Sequence, residues 1–221
     1  MKIGVIGAGR IGGNCARQAV KAGHEVMLSF ARDQAKLDAL AAELGSANAS
    51  VGTPAEAAGF GEIVILAVPW GAIPEALLVA GDLTGKIIVD TTNQFGSGPK
   101  PGAGETAASF NAARMPGARY VKSFNTLTSS FQADAADRSG DDRVVQWICG
   151  DDEEAKQIVA RLIEQMGYVP VDLGPTATCA VMEAPRRPGA VYGEEYRAAD
   201  AQAVVDAVRA GRDIPPTPAY G

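Results

Sequence analysis

The chain of 221 residues is poor in the residue types on which several chemistries depend. It has one histidine, His24, so a Ser-His-Asp triad or a histidine-based metal site has to use that residue or not exist. His24 stands in Ala22-Gly23-His24-Glu25, which reads as the tight corner between a helix and the next strand. The three cysteines, Cys15, Cys149 and Cys179, lie far apart and form no C-x-x-C pair. An odd, scattered set reads as the reduced thiols of a cytoplasmic protein, not as a disulfide frame or a zinc site. No apolar run approaches the roughly 20 residues of a membrane span. Basic residues are outnumbered, 20 against 26 acidic, for a formal net charge of −6. That balance argues against nucleic acid as a partner, because phosphate binding needs a clustered Lys/Arg surface. Ordered structure is expected from Lys2 onward, with no signal peptide ahead of it.

What is present is the composition of a globular fold, 47% hydrophobic and 21% charged, long enough to bury roughly 70% of its unfolded surface. Lys2 to Ile6 is a short apolar run ending at glycine, the look of a buried parallel strand. Further strands are expected over residues 25–29, 62–68, 86–90, 119–124, 143–149 and 168–173. Helices are expected over 10–22, 33–44, 72–80, 105–114, 152–166 and 200–210, with Asp33 as a cap. Strand and helix alternate, so the fold class is α/β, a doubly wound, mostly parallel Rossmann-type sheet with helices on both faces. Residues 1–118 read as a dinucleotide-binding domain and 119–221 as a smaller α/β extension that completes a second-substrate site. Residues 94–104 hold four glycines and two prolines; a loop of this length in a compact domain is usually functional.

Gly7-Ala8-Gly9-Arg10-Ile11-Gly12 is G-x-G-x-x-G, placed directly after a strand and at the opening of a helix. Gly7 permits the tight turn, Gly9 lets a pyrophosphate approach the backbone, and Gly12 allows close helix–strand packing. The helix N-terminus offers N–H groups and a partial positive charge to the phosphates. An NAD-selective site places Asp or Glu at the end of the second strand. Here the strand ends Leu28-Ser29-Phe30-Ala31-Arg32. Ser29 can donate a hydrogen bond, Phe30 borders the site, and Arg32 with Lys36 can meet a 2′-phosphate. The cofactor expected is therefore NADP(H).

In such sheets the ligand lies across the carboxyl ends of the strands. Ala67, Val68 and Pro69 are expected to border the nicotinamide ribose, and Trp70 offers either a flat wall or helix-start packing. Asn93 and Asn125 are expected to orient a carboxamide or a second ring, against the plainer reading of turn chemistry. Lys122 is expected to snorkel from its strand.

These same stretches carry a family resemblance. Lys2 to Gly12, Ala22 to Val26, Leu66-Ala67-Val68-Pro69-Trp70, Asp90-Thr91-Thr92-Asn93, Val121 to Thr126, Gly150 to Ala155 and Val171 to Pro175, in this order and spacing, resemble the coenzyme F420-dependent NADP oxidoreductase family over most of the chain. The resemblance implies hydride transfer between NADP(H) and the deazaflavin ring of coenzyme F420, with no catalytic acid or base. It also implies a cytoplasmic homodimer, to which the Cys179-Ala180-Val181-Met182 run adds an apolar patch. Arg186 and Arg187 would then meet the anionic tail of F420. The chain departs from the family at Asn93-Gln94, at the loop after it, and beyond Pro185. These departures keep two alternatives open: an NADPH-dependent reductase of another small acceptor (an imine, flavin or ferric complex), or a non-catalytic NADP(H)-sensing module.

Overall fold

Apolar runs too short for helices and separated by amphipathic segments assemble here into one eight-stranded sheet. The computed structural model describes residues 1–30 and 33–220. Its strands are β1 Lys2–Ile6, β2 Glu25–Ser29, β3 Ala49–Val51, β4 Ile63–Leu66, β5 Ile87–Asp90, β6 Arg119–Lys122, β7 Val145–Gly150 and β8 Val169–Asp172. Their order is β3-β2-β1-β4-β5-β6-β7-β8. The first six run parallel, β7 is antiparallel to β6, and β8 is parallel to β7. The chain starts in the middle of the sheet, winds outward through β2 and β3, and returns to β4 on the other side. The order thus reverses between β1 and β4, the place where a doubly wound sheet opens a crevice.

The helices are α1 Arg10–Lys21, α2 Gln34–Leu44, α3 Pro54–Phe60, α4 Ile73–Ala80, α5 Ala107–Ala112, α6 Ser129–Ala135, α7 Glu153–Gln165 and α8 Ala198–Arg209. Alternation along the strands divides the core into two halves. Ile3, Val5, Leu28, Val89 and Val121 face α1, α2 and α7 with Val159 and Leu162. Ile6, Val64, Leu66, Ile88 and Tyr120 face the other way, with Ile73, Ala108 and Trp147.

Two features of this scaffold position the site. Ser29 pairs with Ile6, Ile6 with Leu66, Leu66 with Asp90, and Asp90 with Lys122, so five parallel strands end flush. In contrast, β7 meets β6 only through Val121–Gly150 and Lys122–Cys149. Because β7 is antiparallel, its first residues stand beyond that flush edge.

Three elements were not anticipated. β3 is a three-residue edge strand with only Ala49 buried, too short to show a period. α3 is alanine-rich, yet its start was legible: Thr53 and Glu56 form a reciprocal capping box with Pro54 in the first turn. α6 is likewise marked by Thr128, whose side chain accepts from the Phe131 N–H. The antiparallel run of β7 also departs from simple βαβ alternation.

α7 begins on Asp152, which accepts from the Ala155 N–H at 2.9 Å and holds Arg119 in a two-pronged ion pair at 2.6 and 2.9 Å. The Arg119 hydrogen bonds, followed by the helix-cap N–H, pull the Asp152 carboxyl down to about 2. Its contribution is therefore present above the unfolded carboxyl value of about 4 and lost as pH falls toward 2. Asp152→Ala should cost about 1–2 kcal/mol, mostly the cap, since the pair is solvent-screened. It should also flatten the stability profile between about pH 4 and 2; urea titration at pH 7 and pH 3 reads both effects.

Candidate functional site at the carboxyl ends of the strands

The β1–α1 turn has the shape its glycines permit. Gly7 has φ +102° and donates its N–H to the Ser29 carbonyl at 3.0 Å. A Cβ on it would lie 2.6 Å from the Ala67 carbonyl oxygen. A Cβ on Gly12 would lie 2.1 Å from the Gly7 oxygen, so α1 packs directly on the turn. At Gly9 a Cβ would meet nothing within 4 Å. Gly9 caps α1 without any side-chain hydrogen bond, and the first turn holds no acidic residue. The result is a bare helix N-terminus above an open glycine, a donor set that fits a diphosphate. Ala8 and Ile11 are half-buried, while Arg10 is exposed at the helix start. Ala67 and Val68 abut Gly7, joining the β4–α4 turn to the cradle.

At the end of β2 the expected residues have separate fates. Ser29 is fully buried and donates its hydroxyl to the Val5 carbonyl at 3.0 Å. Its side chain is thus engaged within the sheet, which corrects the expectation that it meets the cofactor. Phe30 follows in the left-handed region at φ +54°. Arg32 lies outside the described residues. Asp33 caps α2 through the Ala35 N–H at 3.1 Å and stands 3.8 Å from Lys36. The carboxylate that follows the strand among the described residues, Asp33, is therefore committed to a helix cap, and Lys36 remains 84% exposed.

Pro69 is exposed at the crevice, but Trp70 is not the open wall that was one of its two readings. It is buried, stacks on Phe110 at 6.0 Å, and donates Nε1–H to the Pro99 carbonyl at 2.7 Å. It pins the glycine-rich loop from beneath. Asn93 and Asn125 are brought together across β5 and β6. Asn93 donates Nδ2–H to the Asn125 carbonyl at 2.8 Å, and its Oδ1 accepts from Asn125 Nδ2 and from the Ala184 N–H, both at 3.2 Å. Asn125 Nδ2 also donates to the Met182 carbonyl at 2.7 Å. The two amides bolt the segment around 182–184 onto the strand ends; the Gly193 N–H adds a bond to the Thr126 carbonyl at 2.8 Å.

Beneath the flush edge lies a charged network that local pattern did not reveal. Lys122 does not snorkel: it is fully buried, 3.3 Å from Asp90, and donates to the Thr92 carbonyl at 2.8 Å. Asp90 accepts further from Tyr120 Oη at 2.6 Å, Asn111 Nδ2 at 2.9 Å and the Thr92 N–H at 2.8 Å. Burial pushes the Asp90 carboxyl up, but the Lys122 ammonium and these three donors outweigh it, and the net direction is down. Burial and the Asp90 charge raise the Tyr120 hydroxyl well above its ordinary range, so it stays a donor.

Glu183 was also missed. Its buried carboxylate accepts from the Ala107 and Ala108 N–H groups at 2.8 and 2.7 Å, closing the start of α5. The two arginines beyond it serve the same segment rather than standing free for an anionic ligand. Arg186 pairs with Glu194, with Nη2 at 3.0 Å from its second oxygen, and Arg187 donates to the Glu183 carbonyl at 2.7 Å. Among the described residues no group of three or more His, Cys, Asp or Glu could hold a metal ion. Among them, too, no helix is long and apolar enough to cross a membrane.

Comparison with known proteins gives this geometry a context. Residues 2–94 match the family model described as NADP oxidoreductase, coenzyme F420-dependent. A hypothetical protein of Sinorhizobium meliloti, SMa0349, has the same fold at a TM-score of 0.78 and 27% identity, covering 89% of this chain and 95% of that one. A proposed F420-dependent NADP-reductase of Arthrobacter sp. fb24 follows at a TM-score of 0.69 and 28% identity, covering 81% of this chain and 87% of that one. The rat metalloreductase STEAP3 is 30% identical over 183 residues, which are 83% of this chain but only 36% of the rat protein. The chain thus spans about a third of the length of that curated relative.

Proposed function

We propose, on the match of residues 2–94 to the family model described as NADP oxidoreductase, coenzyme F420-dependent, that the chain is an NADP-dependent oxidoreductase of this kind and passes a hydride between NADP(H) and a deazaflavin of the coenzyme F420 type. The observation that carries the reading is the uncapped α1 N-terminus above the open Gly9, combined with a β2 end whose nearby carboxylate, Asp33, is used as a helix cap. Gly7 to Gly12 would hold the diphosphate, Arg32 and Lys36 the 2′-phosphate, and Ala67, Val68 and Pro69 the edge of the nicotinamide ribose. Bound NADPH supplies a hydride, two electrons with one proton; the acceptor takes it together with one proton from water, and NADP+ is left.

For such a step the protein need only set distance and exclude water, with donor and acceptor carbons roughly 3–3.5 Å apart. That demand suits a crevice floored by the bolted Asn93–Asn125 pair and lacking a histidine. The test is anaerobic mixing of NADPH, F420 and protein while the deazaflavin absorbance is followed; absence of bleaching at micromolar protein rejects the reading. A second reading, reduction of a ferric complex, draws on the likeness to STEAP3 and is selected by turnover with a ferric chelate and none with F420. Cofactor choice has its own check. Arg32→Ala should weaken NADPH roughly tenfold or more, the loss of a charge-assisted phosphate contact, and leave NADH unchanged. Titration of both nucleotides measures it, and equal loss of the two refutes the 2′-phosphate assignment.

A further inference from the structure

Asp90 and Lys122 lie under the flush edge, both fully buried. Taking two charges out of water is costly, and two well-packed apolar residues would hold the strands together as well. What this pair adds is a grip on the backbone of Thr92. The Thr92 N–H donates to Asp90 Oδ1 at 2.8 Å, and its carbonyl accepts from Lys122 Nζ at 2.8 Å. Asn111 Nδ2, itself 2.9 Å from Asp90, reaches the Thr92 hydroxyl at 3.3 Å. β5 has already ended at Asp90, so these side chains hold Thr92 where the strand ladder no longer does. The next residue is Asn93, whose amide locks to Asn125. On β6, Phe124 stands between Lys122 and Asn125 in the left-handed region at φ +56°, an unfavourable state for a residue with a Cβ. Its ring is buried edge-on to Tyr168 at 6.0 Å, and strained backbone of this kind persists where the surroundings over-determine it. Asn93 and Asn125 thus rest on a fixed support.

The geometry points to Asp90 and Lys122 as positioning residues for hydride transfer. By gripping Thr92 at both its N–H and its carbonyl they set where the Asn93–Asn125 floor lies, and with it the separation of the nicotinamide and its hydride partner. Neither residue touches the reacting atoms. The rate is steeply sensitive to such placement, since an error of about 1 Å can cost roughly a hundredfold. The inference rests on the proposed hydride transfer, and one arm of its test needs no acceptor.

The decisive variant is Asp90→Asn with Lys122→Met, which releases Thr92 without stranding a charge. The full-length protein is loaded with NADPH and mixed with whichever of F420 and a ferric chelate the wild type reduces, and the single-turnover loss of nicotinamide absorbance is followed. The rate should fall about tenfold while the Kd for NADPH stays within about twofold. Val159→Ala opens a cavity in the core face of α7 and also lowers Tm, but it should leave the rate within about twofold. A folded double variant with the wild-type rate overturns the assignment, as does an equal rate loss in Val159→Ala, the mark of general loosening. Should the double variant not fold, Asn111→Ala, which takes away one of the three grips, should show the same split at about threefold, and an unchanged rate there overturns the assignment. If the wild type reduces neither acceptor, the reaction reading fails and the emission of bound NADPH becomes the readout, because its yield reports how firmly the nicotinamide is held. A fall of about twofold in the double variant supports the positioning role; unchanged emission overturns it.

Discussion

Lys122→Ala should lower folding stability by about 3–5 kcal/mol, because it strands the Asp90 carboxylate in the core with its counter-charge removed. For a domain of this size the drop corresponds to a fall in Tm of roughly 10 °C, readable by calorimetry. Tyr120, Asn111 and the Thr92 N–H would still face Asp90, but neutral donors do not offset a buried charge alone. The double substitution Asp90→Asn with Lys122→Met should recover part of the loss, since it removes both charges and its amide oxygen can still accept from Tyr120 and Asn111, though no longer from the Thr92 N–H as well. A single variant as stable as the wild type would mean that the pair contributes nothing. The pH profile gives an independent check. The folded Asp90 carboxyl is held below its ordinary value, so its stabilisation is present above about pH 4 and lost as pH falls through the folded value. Lys122→Ala should erase that acid-side slope.

The second large effect lies in the phosphate cradle, where two glycines separate folding from binding. Gly12→Ala puts a methyl 2.1 Å from a backbone oxygen, and neither partner is the flexible end of a side chain. α1 must shift off the turn, at a cost of about 1–3 kcal/mol, and its first N–H groups move with it. NADPH affinity should fall about a hundredfold, about 2.7 kcal/mol, together with Tm. Gly9→Ala meets no protein atom within 4 Å, so its Tm should match the wild type while its methyl occupies the approach to the helix N-terminus and NADPH binding weakens. Thermal shift with and without NADPH resolves both. Loss of stability in Gly9→Ala, or full affinity in Gly12→Ala, contradicts the assignment of diphosphate to this turn.

The segments legible from sequence were those whose reasons lie within a few residues. β1 and the glycine turn are contiguous, so strand, cradle and helix start could be read together from Lys2 to Gly12. The amphipathic period of α7 and the caps at Asp33 and Asp152 are equally local. Where the period failed, as at the three-residue β3, no local signal was strong enough to rise above its surroundings.

The site's second half was decided by contacts between distant parts of the chain. Asn93 and Asn125 each carry ordinary turn chemistry in isolation; they become bolts only because parallel pairing sets β5 beside β6 and leaves Met182 and Ala184 within reach. Lys122 alternates like any strand lysine, and its burial follows from register, which places it opposite Asp90 under α5. Trp70 turns inward because the glycine-rich loop offers it the Pro99 carbonyl, and Phe95 meets Tyr192 from 97 positions away. Side-chain periodicity carries no information about which far segment will arrive. That outcome is chosen when long loops close and buried polar groups must find partners, a property of the packed molecule as a whole.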